Sequence, residues 1–304
     1  MYEAHFGLRE PPFRLTPDTG YYYNTAGHQE ALNVLLVALA GGEGFVKISG
    51  EVGTGKTLLC RLLLARLEAP FESAYLPNPA LSPAGLYHAI AAELGLSLAR
   101  NLGQHRVLAA LTEALVARAA AGRRVVLVVD EAQAMPPPTL EALRLLTNLE
   151  TEREKLLQVV LFGQPELDRV LAEPGLRQLR QRITFSYRIP TLDRAGVEGY
   201  LRHRLTVAGW DGPGTPFDRA ALRMLARASG GIPRLVNILA HKSMMLAYGR
   251  GRRRVGVREV RAAVRDTEGA VRRRRPALPW AVAGGAVAAA AAGLGAAYAW
   301  GVLG

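Results

Sequence analysis

The chain has 304 residues, 49% of them hydrophobic, a formal net charge of +12 and a single cysteine, Cys60. That composition excludes a disordered chain and an internal disulfide framework, and it allows one sizeable core or two modest ones. The charge does not by itself point to nucleic acid, because it is concentrated: residues 250–275 hold eleven arginines against three acids, Glu259, Asp266 and Glu268.

The opening stretch MYEAHFGLREPPFRLTPD shows neither a basic region nor an apolar run of a secretory leader, so the amino-terminal part is expected in the cytoplasm. Residues 1–40 read as an irregular aromatic and proline-rich arm followed by an apolar helix, HQEALNVLLVALAGG. GFVKIS (44–49) then reads as a strand, a glycine-rich turn follows, and TLLCRLLLARL continues as a helix in which Cys60 is expected to be a buried small hydrophobe. Further strands are predicted at 71–77, 124–132, 155–163 and 183–190, with helices at 83–94, 104–121, 138–152 and 165–181 between them. This alternation predicts an α/β fold with a parallel five-stranded sheet covered on both faces over residues 41–191. After IPTLD the strand patterns stop, and amphipathic helices at 193–208, 217–228, 233–248 and 257–267 predict a small helical domain over 192–267.

GEVGTGKT, Gly50 to Thr57, matches G-x-x-x-x-G-K-[ST] and lies between a predicted strand and a predicted helix. Glycines at Gly50, Gly53 and Gly55 let the backbone curl so that the amides of Glu51, Val52, Thr54 and their neighbours through Leu58 can face phosphate oxygens. Lys56 is expected at the β- and γ-phosphates of ATP, and Thr57 as a ligand of Mg²⁺. VVLVVDEA places Asp130 and Glu131 at the carboxyl end of a buried strand. There Asp130 suits the metal-holding carboxylate and Glu131 the base that orients and deprotonates water. Gln164 follows the strand LLQVVLFG and either touches the γ-phosphate or caps the next helix. Arg177, Arg180 and Arg182 precede the last strand. They are solvated surface charges in a monomer, whereas in a ring Arg180 or Arg182 is placed to reach a neighbour's γ-phosphate. Arg234, in SGGIPRLVN, begins a helix of the second domain, where it could sense nucleotide.

Residues 268–276 form a basic linker, RRRRP included, and residues 277–304 carry no charge. As a helix that segment would reach about 42 Å against a hydrocarbon core of about 30 Å, so a single C-terminal transmembrane helix is expected. Arg272, Arg273, Arg274 and Arg275 would hold the preceding domains in the cytoplasm and attract anionic lipids, and Trp280 and Trp300 suit the two interfaces. Gly285, Ala289, Gly293 and Ala297 share a four-residue spacing that would let neighbouring anchors touch.

Together these residues resemble the AAA+ P-loop ATPases: GEVGTGKT as Walker A, VVLVVDEA as Walker B, Gln164 at the sensor 1 place and GGIPR as sensor 2. HFGLREPPFRLTPD, GHQEALNVLLVAL, QVVLFGQPEL, LRQRITFSYRI and GGIPRLVNILAHK resemble a narrower family, the ATPases of the general secretion pathway A (ExeA-like) type, most closely its MSHA pilus branch. The resemblance spans roughly residues 1 to 267. It implies ATP hydrolysis driving assembly of a type IV pilus or type II secretion apparatus at the inner membrane, a helical lid domain, an oligomeric ring, and assembly proteins as partners. The alternative is a DNA-binding AAA+ ATPase of the transposition or replication-initiation kind. Nucleic acid is not the expected partner, because no helix-turn-helix or DNA-facing basic element is recognisable before the linker.

Overall fold

A computed structural model describes residues 1–270 apart from Pro17, Arg100 and residues 151–154. Five strands, β1 (Phe45–Ser49), β2 (Phe71–Leu76), β3 (Arg124–Val129), β4 (Leu157–Gly163) and β5 (Ile183–Arg188), form one sheet in the order β2-β3-β4-β1-β5. All four pairings are parallel. The unbroken apolar runs of β3 and β4 follow from burial on both faces. Along them Val125, Leu127 and Val129 join Val159 and Leu161 in one core, while Val126, Val128, Val160 and Phe162 point into another.

The first core is closed by α3 (Pro83–Glu93), α4 (Gln104–Ala120), α5 (Pro137–Leu146), α6 (Glu166–Leu171) and α7 (Arg177–Arg182). The second is closed by α1 (Ala26–Ala40) and α2 (Lys56–Arg66), through Leu32, Leu35, Leu39, Leu59 and Leu63. Cys60 lies in this second core with no exposure, and burial pushes its thiol up to about 12, so it serves as a small apolar residue.

Two predicted helices differ from the observed ones. The helix expected at 138–152 ends at Leu146, where Thr147 turns its hydroxyl back to donate to the Arg144 carbonyl and the next two amides bond three residues back. The helix expected at 165–181 is two short helices, because Pro174 has no N–H to give and holds Glu173 at an extended ψ of 140°; a 3-10 turn, Pro174–Leu176, joins them.

Four further helices, α8 (Arg194–Val207), α9 (Arg219–Ser229), α10 (Pro233–Gly249) and α11 (Val257–Arg265), share a third core. Asp193 and Asp218 cap α8 and α9 by accepting from Gly196 N–H at 2.6 Å and Ala221 N–H at 2.7 Å. Among its described residues the amino-terminal arm carries two 3-10 turns, Ala4–Phe6 and Thr19–Tyr21, yet it is not a free extension. Its Tyr2, Phe6, Leu8, Phe13 and Tyr21 are buried in the core of α8–α11, whereas α1 belongs to the sheet. Arg204 of α8, 7% exposed, donates to the Pro12 carbonyl at 2.5 Å and the Arg14 carbonyl at 3.3 Å and lies 4.6 Å from the Tyr21 ring centre.

Among the described residues no helix is long and apolar enough to cross a membrane. The arginines 272–275, Trp280, Trp300, the small residues Gly285, Ala289, Gly293 and Ala297, and the whole expected membrane segment 277–304 lie outside the described residues.

Candidate nucleotide-hydrolysis site

Strand β1 runs out at Ser49 and the chain curls through Gly50–Gly55 before α2 begins at Lys56. Gly53 (φ 83°) and Gly55 (φ 99°) are left-handed, and a Cβ on either would stand 2.4 Å from Arg234 Cβ or 2.8 Å from His28 Nε2, so both conformation and space demand glycine. Gly50 N–H donates to the Gly163 carbonyl at 3.2 Å, and both the amide and the hydroxyl of Thr54 donate to the Glu51 carbonyl. Glu51 itself sends its carboxylate to Arg188 at 2.9 Å. Val52 is exposed, and Leu58 is half-buried.

Lys56 is only 5% exposed, and its ammonium donates to the carbonyls of Gly50 (2.8 Å) and Glu51 (3.0 Å). Burial lowers its pKa, against the opposing pull of Glu131, Asp130, Glu51 and Glu166. A buried ammonium on two neutral carbonyls, with acids nearby, is a cation ready to exchange those carbonyls for anionic oxygen.

The strand order sets β3 beside β4 and β4 beside β1, so the residues just past each strand meet at one edge. Asp130, 3% exposed, follows β3; burial raises its pKa, opposed by hydrogen bonds from the Thr57 hydroxyl and the Glu131 N–H. The carboxylate and hydroxyl thus stand side by side. Among the described residues no group of three or more His, Cys, Asp or Glu is arranged to hold a metal, so a cation on Asp130 and Thr57 would need phosphate oxygens and water to fill its shell.

Glu131 has φ 52° and is the one non-glycine residue with positive φ among the described residues. Its Oε2 accepts from Gln164 Nε2 at 2.9 Å and from Gln133 Nε2 at 2.5 Å, and Gln133 Oε1 accepts from Gln164 N–H at 3.0 Å. Gln164 thus reaches the acid of β3 with its side chain. Gln133 escapes sequence reading, because a single glutamine in a turn has neither periodicity nor a spacing rule.

A cleft opens over the glycine loop, lined by residues 52–58, Glu131, the arm's Tyr22 and Tyr23, Leu192, Arg234 and Asn237. Pro233 starts α10 against the loop, and Arg234 N–H donates to the Gly53 carbonyl at 3.2 Å. Asn237, one turn further along α10, is 5% exposed, and its Oδ1 is buried with no hydrogen-bond partner among the described residues. A cleft that already holds phosphate-type donors suits a ligand carrying oxyanions, as ATP does. Arg177, Arg180 and Arg182 do not line this cleft: the first two are exposed on α7, and half-buried Arg182 donates to the Thr147 hydroxyl at 3.3 Å.

The AAA domain family matches residues 39–171. General secretion pathway protein A of Aeromonas hydrophila is 45% identical over 269 residues, which is 88% of this chain and 49% of that protein, so the chain spans about half the length of this relative. Among solved structures, Cdc6p of Pyrobaculum aerophilum has a TM-score of 0.66 at 21% identity, covering 86% of this chain and 72% of that one. Aeropyrum pernix ORC1, solved in complex with DNA, has a TM-score of 0.61 at 22% identity (84% and 69% covered). The Thermotoga maritima RuvB branch migration motor follows at 0.52 and 18% (80% and 69% covered). These low identities speak for the fold alone. The matched AAA domain, together with a relative 45% identical over 88% of this chain, makes this chain an AAA ATPase similar to general secretion pathway protein A.

Proposed function

We propose that this ATPase works as a membrane-anchored ring whose ATP hydrolysis drives assembly of a type IV pilus of the MSHA kind or a type II secretion apparatus. The single observation that carries the hydrolytic part is the meeting of Lys56, Thr57–Asp130 and Glu131–Gln164 at one sheet edge beneath a cleft. In this reading the amides of Gly50–Leu58 hold the phosphates, and Lys56 leaves the loop carbonyls for the β- and γ-oxygens. Thr57 and Asp130 hold Mg²⁺, which when bound neutralises phosphate charge. Glu131 orients and deprotonates the attacking water, Gln164 contacts the γ-phosphate side, and Arg234 approaches the phosphates from α10. Arg180 or Arg182, outside the cleft of their own subunit, serve a neighbour. Residues 192–267 act as the lid, residues 272–275 bind anionic lipid, and 277–304 cross the inner membrane once with the ATPase in the cytoplasm.

Two measurements test this. The full chain should turn over ATP only with Mg²⁺ present, and Glu131→Gln should bind ATP while losing at least about a hundredfold of that turnover; equal turnover by both proteins overturns the assignment of Glu131. The full chain should resist carbonate extraction from membranes, and crosslinking the Glu131→Gln protein there should trap a pilus or secretion component. Recovery in the soluble fraction overturns the anchor. Duplex affinity that falls steeply with salt and survives removal of residues 268–304 overturns the secretion reading in favour of DNA.

A further inference from the structure

The Glu131 carboxylate is held by an arrangement that neither the glycine-loop motif nor the acidic strand end encodes. The left-handed backbone at Glu131 reverses the chain into a single 3-10 turn, Ala132–Ala134, and so brings Gln133 back beside the ends of β3 and β4. There the Gln133 carboxamide uses both its ends. Its Oε1 accepts from the backbone N–H of Gln164 at 3.0 Å, and its Nε2 donates to Glu131 Oε2 at 2.5 Å. The first bond fixes the second: with the oxygen committed to a donor on β4's extension, the nitrogen must face the acid. Gln164 Nε2 donates to the same Oε2 at 2.9 Å. One carboxylate oxygen is thereby tied by two amides, and Glu131 remains part of the cleft wall.

We propose that Gln133 is a positioning residue for hydrolysis: it fixes the rotamer of Glu131 and couples it to Gln164, so that Glu131 presents its other oxygen, Oε1, to the water that attacks phosphate. The inference rests on the proposed role of Glu131 as the water-activating base. Proton removal needs the carboxylate within hydrogen-bond reach of the water, and a side chain free to swing about three torsions spends most of its time elsewhere. Tying Oε2 from two directions removes that freedom without using the oxygen that accepts the proton. Gln133 itself touches neither nucleotide nor water in this scheme.

The discriminating variant is Gln133→Glu in the full chain. It keeps the length and an acceptor for Gln164 N–H, but it replaces the donor facing Glu131 with a like charge. Nucleotide affinity, read by competition with a fluorescent ATP analogue, should stay within about twofold, because no residue holding phosphate has changed. The kcat should fall about tenfold or more with KM unchanged. Gln133→Met, which has similar size and neither bond, should fall at least as far, and it replaces the first variant if that one does not fold. Turnover of Gln133→Glu within threefold of the parent would mean that only the bond to Gln164 N–H matters, which overturns the proposal. So would a loss confined to KM, or a gain in turnover. A parent chain that binds ATP and never hydrolyses it would instead sink the hydrolytic reading, an outcome visible before any variant is made.

Discussion

Gly231 stands where no side chain fits. Its φ is 73°, and an added Cβ would lie 1.9 Å from the Leu192 carbonyl oxygen, in the stretch where the chain passes from the sheet to the helical layer. Gly122 has nearly the same φ, 72°, with open space around it. Changing each to alanine separates crowding from backbone strain. Gly122→Ala should cost about 1 kcal/mol and Gly231→Ala about 3 kcal/mol or more, read from urea midpoints. His28 gives a pH prediction. Its Nε2–H donates to the Thr54 carbonyl at 2.9 Å, leaving Nδ1 to pair with the Thr25 hydroxyl at 2.6 Å. Burial lowers its pKa against that carbonyl's opposing pull, and burial likewise lowers His203 and His241. The folded chain thus takes up these protons less readily than the unfolded chain. Stability is full above about pH 6.5, the unfolded value, and falls as pH drops below it. Unfolding midpoints measured between about pH 7.5 and 5.5 should decline, and His28→Gln should make the decline shallower. At this scale Lys56, Thr57, Asp130 and Glu131 stand out in the sequence, because the proposed phosphate chemistry would impose a spacing and a strand–turn–helix setting on them. Gln133 and Asn237 were hidden, since what singles them out is a meeting of turns and an unpartnered oxygen, neither of which has a linear signature.

Among the elements, α11 shows how a charge can be structural. Glu259 has no exposure; burial alone would raise its carboxyl, yet hydrogen bonds from Arg250 (2.6 Å) and the Gly256 N–H (3.0 Å) hold it below the ordinary value. The same carboxylate caps its own helix, so an acid in the arginine-rich stretch is spent inward. Glu259→Ala should cost about 2 kcal/mol through the lost cap and an unpaired N–H, with Glu259→Gln milder; thermal unfolding checks the order. The inner strands β1, β3 and β4 were legible because burial on both faces forces apolar runs, whereas β5, expected to be half-buried, is mostly exposed at the outer edge of the sheet. The overextended helices at 138–152 and 165–181 were misjudged for a common reason. Apolar spacing continues through Leu149 and Leu176, which still pack on the sheet, although the backbone there has left the α-helix. Periodicity reports which side faces the core and says little about which hydrogen bonds hold the turn.

For the whole molecule, the ring reading makes a prediction that a monomer cannot satisfy. Arg180→Ala protein and Lys56→Ala protein should each be inactive alone, and mixing them should restore measurable turnover, since some sites then pair an intact cleft with a neighbour's intact arginine. Mixtures as dead as their components place Arg180 outside any shared site; Arg182 then remains, though its bond to Thr147 makes its own substitution costlier to folding. The arm has another consequence, in the order of synthesis. Tyr2 bonds His241 at 3.0 Å, His5 the Arg252 carbonyl at 3.0 Å, and Pro12 the guanidinium of Arg204 at 2.5 Å, partners that leave the ribosome about 190 to 250 residues later. These arm residues are therefore seated only after partners made much later. Until α8–α11 emerge, Tyr2, Phe6 and Phe13 have no core to enter and the tyrosine wall of the cleft is unfinished, so a nascent chain that already holds its complete sheet still lacks a closed nucleotide site.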